Sequence, residues 1–168
     1  SSNSIQGGEI AICTAAASQD FPAVSGSIVV WRDKRNGNND IYGIDVNTLP
    51  GGDFPICTHP AGQYTPSISG NFVVWADARN GENDIYGYNL ATQTEFPVCT
   101  EAGGQYNPRI DGTIVVWTDD RNGNTDIYGL DITTLPGGSA FAICTDTANQ
   151  SLPVVSGEYV VWEDQRSG

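Results

Sequence analysis

Short apolar runs broken by turn residues dominate the chain. No ten-residue window places apolar side chains at the 3.6-residue spacing of an amphipathic helix, and the runs are rich in Val, Ile, Tyr and Trp. This pattern predicts strands. One stretch reads clearly from end to end. Residues 64–70, YTPSISG, form a strand A that stops at a glycine turn, and residues 71–77, NFVVWAD, form strand B. ARNGEN is a hairpin loop whose Asn-Gly pair suits the positive φ angles of a tight turn. DIYGYNL forms strand C, ATQTE turns the chain, and FPVCT forms strand D.

The unit recurs. VVWRDKRNGNNDIYG begins at Val29, VVWADARNGENDIYG at Val73, VVWTDDRNGNTDIYG at Val115 and VVWEDQRSG at Val160. Trp31, Trp75, Trp117 and Trp162 are 44, 42 and 45 residues apart, and so are Cys13, Cys57, Cys99 and Cys144. Such a period, with several short strands per unit, marks a propeller or another β-array. The expected fold is all-β: a β-propeller with four four-stranded blades of ~43 residues, one blade split between the N- and C-termini. Residues 1–168 then form a single domain. Whole blades span 21–58, 64–100 and 106–145. Residues 151–168 supply strands A and B of the split blade, and residues 1–20 supply C and D. The N-terminal assignment rests on NSIQG, which aligns with NDIYG at 39–43, and on EIAICT, which matches DFPICT and FAICT.

Such a split removes free sheet edges. Joined within one chain, the ends close a four-bladed ring. Joined between chains, they build an eight-bladed ring of two chains or a filament. A fragment of a longer propeller is the remaining alternative. Blades stacked face to face need the same apolar faces. The paired valines and Trp31, Trp75, Trp117 and Trp162 of strand B, with Ile41, Ile85 and Ile127 of strand C, supply that bulk. The rival reading makes the tryptophans a ring of sugar-stacking platforms.

Charge narrows the partners. The net charge of −13 argues against nucleic acid and anionic membranes. No apolar run approaches the ~20 residues of a membrane helix, so no membrane insertion is expected. No signal peptide is read in these residues. The sequence has no methionine, so the chain is expected to be a mature or excised piece.

Each B–C loop carries Asp, Arg, Asn, Gly and Asp at fixed offsets: Asp33, Arg35, Asn36, Gly37 and Asp40, then Asp77, Arg79, Asn80, Gly81 and Asp84, then Asp119, Arg121, Asn122, Gly123 and Asp126. The fourth keeps Asp164 and Arg166, has Ser167 in place of Asn, and finds Ser4 where the second Asp would stand. In one reading Arg35, Arg79, Arg121 and Arg166 are structural, each clamped between the two loop carboxylates. In the other, Asp33, Asn36 and Asp40, with Asp77, Asn80, Asp84, Asp119, Asn122 and Asp126, offer hard oxygen ligands to calcium, the one cofactor the set suits. Tyr42, Tyr86 and Tyr128 are the aromatics expected to face a glycan, because Gln6 replaces Tyr in the split unit. Tyr64 and Tyr106, with Gln63 and Gln105, are expected at the opposite end of the blade. Symmetry holds the cysteines beyond the ~7 Å Cα limit of a disulfide. Four mostly buried free thiols are expected.

The phrase P-x-I-S-G-x-x-V-V-W-x-D-x-R-N-G-x-x-D-I-Y-G, repeated along essentially the whole chain, resembles the TolB-type β-propeller repeat of periplasmic and cell-surface proteins. The resemblance implies an extracellular, cell-surface or periplasmic location and a binding or scaffolding role. Rings of more than four blades are usual in the family. Some TolB-like propellers are polysaccharide lyases whose metal site uses several histidines, and His59 is the single histidine here. No nucleophile elbow or phosphate loop is present. A carboxylate-pair hydrolase would draw on some of the twenty acidic residues, yet these follow the repeat. The chain is therefore read as no enzyme. Expected partners are other proteins, or copies of itself through the split blade, and glycans in the alternative of a lectin-like propeller.

Overall fold

A computed structural model describes residues 9–166. Three four-stranded antiparallel sheets follow one another along the chain. The first holds β1 (Gln19–Ser25), β2 (Ile28–Asp33), β3 (Asp40–Asp45) and β4 (Phe54–Cys57). The second holds β5 (Gln63–Ser69), β6 (Phe72–Asn80), β7 (Glu82–Asn89) and β8 (Thr94–Cys99). The third holds β9 (Gln105–Asp111), β10 (Ile114–Asp119), β11 (Asp126–Asp131) and β12 (Phe141–Cys144). A two-stranded sheet, β13 (Gln150–Ser156) with β14 (Tyr159–Asp164), completes the row. Strands A to D of each unit lie in sequence order across their sheet, because every connection is a hairpin.

The A–B hairpins turn on Gly26, Gly70, Gly112 and Gly157, all at φ of 55 to 58°. A side chain there would strain the left-handed backbone. Strand A is not the straight run that its pattern suggests. Phe21, Thr65, Asn107 and Leu152 sit at φ of 50, 47, 53 and 52°, each just before a proline, and the register with strand B slips there. A bulge at this spot bends the strand in every unit. Strand D is the outer edge, and Pro55 and Pro97 in it cannot donate to a further strand. Two C–D connections carry short 3-10 turns, Val46–Thr48 and Ile132–Thr134, which the strand pattern does not reveal.

The core lies in the seams between sheets. Val30, Ile41, Ile56 and Cys57 of the first unit meet Ile68, Val73 and Trp75 of the second. Val74, Ile85, Val98 and Cys99 of the second meet Ile110, Val115, Trp117 and Leu130 of the third. Trp75 and Trp117 of strand B are thus each buried against the preceding unit. Fully burying such side chains is worth about 1.5–3 kcal/mol each even for the aliphatic ones.

At the split unit, β13 and β14 take the A and B positions. Residues 3–7, read as strand C, lie outside the described residues. The segment read as strand D is not a strand: residues 9–14 form no ladder. A D strand exists only by pairing with a C strand, and no described strand offers it that edge. Instead Ile12 and Cys13 pack against Trp31, Tyr42 and Ile44 of the first unit.

Candidate functional site

The repeated B–C loop builds one side-chain network in each unit. Trp31 and Asp33 are two residues apart on β2, so they share a face. The Trp31 indole donates to Asp33 Oδ2 at 2.9 Å, and Trp75 and Trp117 do the same to Asp77 and Asp119 at 2.9 Å each. The arginine two residues on folds back over the hairpin. Its backbone N–H donates to Asp33 Oδ1 at 2.8 Å and its Nη2 to Asp33 Oδ2 at 2.7 Å. The guanidinium then lies over the Tyr42 ring, 4.0 Å from its centre, and the pairs Arg79–Tyr86 and Arg121–Tyr128 stand at 4.0 and 4.3 Å. Tyr42 reaches this place because it pairs with Trp31 in register, just as Asp40 pairs with Asp33. Asn36 donates through Nδ2 to Asp40 Oδ2 at 2.6 Å and to the Tyr42 hydroxyl at 3.1 Å.

The network crosses the seam. Arg35, Arg79 and Arg121 each reach the cysteine 22 residues earlier, in the preceding unit, at 3.3, 3.4 and 3.3 Å. All four cysteines are free thiols; Cys57 and Cys99 are buried, and Cys13 and Cys144 are partly so. Burial pushes the Cys57 thiol up to about 12. Burial alone would raise the Asp33 carboxyl as well, but the donors of Arg35 and Trp31 outweigh it and hold the group down at about 2. The same opposition leaves Asp77 below the usual carboxylate range.

Several expectations change here. The arginine does not sit between the two loop carboxylates. Its second anion comes from the C–D side of the same unit: Asp53 for Arg35 at 2.6 Å and Glu95 for Arg79 at 2.5 Å. Arg121 pairs with Asp119 alone among these carboxylates, and Arg166 binds Asp164 with Asp146 at a longer 3.8 Å. The proposed calcium set is engaged otherwise. Asp33, Asp77 and Asp119 hold arginine, while Asn36, Asn80 and Asn122 turn amide donors, not oxygens, toward Asp40, Asp84 and Asp126. Among the described residues no three His, Cys, Asp or Glu side chains converge as metal ligands. Tyr42, Tyr86 and Tyr128, the aromatics expected to face a glycan, each carry the arginine over one ring face and have the hydroxyl bonded by the asparagine. Gln63 and Gln105 lie at the same end as the B–C loops, since they pair with Asp77 and Asp119. The strand A bulge and the antiparallel register put them there.

Trp162 Nε1 donates to Asp164 at 3.2 Å, yet the fourth network is exposed. The same repeat position shows why. Val30, Val74 and Val116 are 0% exposed, but Val161 is 63% exposed. On the opposite face Ile68, Ile110 and Val155 are 7, 7 and 8% exposed, but Val24 is 65% exposed. Val30 packs with Ile68, and Val74 with Ile110. Val161 and Val24 are the next pair of that series, and neither is covered. The ring is not closed among the described residues. The pattern of apolar positions carried these residues as core and gave no sign of the two bare ends.

A groove of about 780 Å³ opens between β8 and the connection after Ile132–Thr134, lined by Phe72, Phe96, Val98, Leu135, Pro136 and Ala140. Phe72 and Phe96 meet edge to face, with ring centres 6.4 Å apart. Its walls come from two different units, so the linear pattern could not announce it.

Solved structures of other proteins share this fold. TolB from Acinetobacter baumannii superposes with a TM-score of 0.73 at 19% identity, over 93% of this chain and 40% of that one. The fold is the TolB-type β-propeller. The β-propeller domain of the Trilobed protease from Pyrococcus furiosus, described as having an open velcro topology, matches with a TM-score of 0.61 at 14% identity, over 88% of this chain and 53% of that one. A computationally designed protein, Ika4, matches with 0.65 at 16% identity, over 97% of this chain and 96% of that one. The chain thus spans less than half the length of the TolB it matches and nearly the whole of Ika4. No protein-family model and no curated protein matches the sequence. Among the described residues no helix is long and apolar enough to cross a membrane.

Proposed function

We propose that this chain is a non-catalytic, extracytoplasmic propeller module that associates with copies of itself through its two end faces. One observation carries the reading. The β13–β14 end exposes Val161 and the β1 end exposes Val24, two halves of a seam whose equivalent positions are buried in the other units. Apolar surface of this kind, rimmed by polar residues, marks an interaction site. The faces are unlike, so the contact is head-to-tail: two chains close a ring, and a failure to close makes a filament. The exposed outer edge of β14 adds a place for strand pairing. The likeness to TolB supports a protein-interaction scaffold over catalysis, and the repeated loop acids serve the arginine network instead of a reaction.

Light scattering across a concentration series tests the reading. A mass of twice 17.9 kDa, or growth to larger species, is expected. A mass of one chain at every concentration would sink self-association. Val161→Asp is expected to abolish the association, because it buries a charge in the new seam.

A further inference from the structure

Strands A of successive units pack on one another, β1 on β5 and β5 on β9. They carry the segments DFPAVSG, YTPSISG, YNPRIDG and SLPVVSG. By register with strand B, Ala23, Ser67, Arg109 and Val154 hold one repeat position, opposite Val30, Val74, Val116 and Val161. Three of these four residues are small or apolar, and the third unit alone has an arginine. The chain has six arginines, and the other five each pair with a carboxylate. Among the described residues no carboxylate pairs with Arg109, although the chain holds twenty acidic residues. Its guanidinium donates only to the Pro108 carbonyl there, from Nη1 at 2.9 Å.

Arg109 lines a cavity of about 200 Å³ that three units share. Phe21 and Pro22 come to it from the first unit, and Thr65, Pro66 and Ser67 from the second. The Thr65 hydroxyl is buried without a partner. The Ser67 Oγ accepts from the Ile110 N–H at 3.3 Å, which leaves its own proton uncommitted. Among the described residues no carboxylate lines the cavity. Asp20 precedes Phe21 in the chain, but it is spent on Arg32 at 2.6 Å, and Arg32 lies over the Phe21 ring at 4.5 Å. Burial lowers the Arg109 guanidinium with no carboxylate opposing it, whereas donation to Asp53, Asp77 and Asp119 raises Arg35, Arg79 and Arg121. A cation drawn out of water without an opposite charge is costly. The cavity thus gathers a cation and hydroxyl donors between apolar walls, with no negative charge of the chain to match them.

We propose that this cavity binds a carboxylate group, held by the Arg109 guanidinium, with Phe21, Pro22 and Pro66 around its aliphatic stem. The volume lies below the roughly 300–1,000 Å³ of sites for drug-sized ligands, so one small group fills it. A carboxylate matches the guanidinium fork with two parallel N–H···O bonds. It also carries a single charge, while a phosphate monoester carries about −1.5 to −2. A single charge is what one cation can hold in a chain of net charge −13. The group belongs to a free short-chain acid or to an acidic side chain of a peptide. The site exists once, because only the third unit carries the arginine. Binding here does not require self-association.

Amide NMR shifts of the dilute, isotope-labelled chain test it. Sodium butyrate, measured against NaCl of equal ionic strength, is expected to saturate with Kd of about 1 mM. The shifts should cluster at residues 21–23, 65–67 and 108–110. Butyramide, the neutral isostere, should bind at least about tenfold more weakly. Inorganic phosphate should also bind more weakly than butyrate. Arg109→Ser places the residue of the second unit at this position. It is expected to fold and to bind butyrate at least about tenfold more weakly. A capped tripeptide with a central glutamate separates the two sources: tighter binding than butyrate assigns an acidic side chain, and weaker binding a free acid. The proposal is overturned if butyrate gives no saturable shift, or shifts only elsewhere. It is overturned equally if the shifts survive in Arg109→Ser, or if butyramide or phosphate reproduces them at equal concentration. The butyramide and phosphate comparisons use the parent chain, so they decide the matter whether or not the variant folds.

Discussion

Arg79 and Arg166 stand at the same repeat position and have different worth. Asp77 is fully buried and bonded by Arg79, Trp75 and the Arg79 backbone. Removing the guanidinium strands a buried charge, so Arg79→Met is expected to cost about 3–5 kcal/mol in urea unfolding. Arg166→Met, at the exposed end, is expected to leave the transition almost unmoved. Equal losses at both positions would refute the burial argument. The same carboxylates set the acid limit. Asp33 falls from 3.8 to about 2 on folding, despite the opposing effect of burial. A depressed carboxylate stabilises the fold above its unfolded pKa, and that stability is lost as pH falls through the folded value. The urea midpoint is therefore expected to hold down to about pH 4 and to drop between about pH 4 and 2. A midpoint that stays flat to pH 2 would contradict the arginine network as drawn.

Strand A shows what a single element owes to its bend. Its bulge puts a residue at positive φ in all four units, and in the second unit that residue is Thr65 at 47°. A β-branched residue is a poor fit to the left-handed region, and the Thr65 hydroxyl is also buried without a partner. The third unit uses Asn107, which tolerates that conformation. Thr65→Asn is expected to stabilise the chain by roughly 0.5–1 kcal/mol, read from the urea midpoint; a loss of stability would show that packing, not φ, governs the position. The bulge also aims Gln63, Gln105 and Gln150 into the loop that precedes them, where each amide donates to backbone carbonyls. Alternation of apolar and polar residues marks the strand but is blind to a bulge, which inserts a residue without changing composition.

The whole molecule is a row of seams, and its properties depend on whether the last seam is covered. If two end faces join, the melting temperature is expected to rise with protein concentration, because association stabilises the folded state by mass action. A melting temperature independent of concentration would count against the joint. The four-stranded unit, the repeat, the all-β class and the order of strands A to D were legible in the chain, because hairpins make neighbours in sequence neighbours in space. The tryptophan and the Asp-Arg-Asn-Gly-Asp loop were legible as a recurring set for the same reason. Their use was not. The partner of Arg35 is Asp53, 18 residues away, and its sulfur neighbour Cys13 belongs to the preceding unit. Such contacts arise only when sheets stack. The same holds for the exposed Val24 and Val161, identical in pattern to their buried equivalents. Period and alternation within one unit belong to local backbone geometry, so the sequence alone determined them. What lies against each face is a long-range packing outcome, and only the tertiary structure decided it.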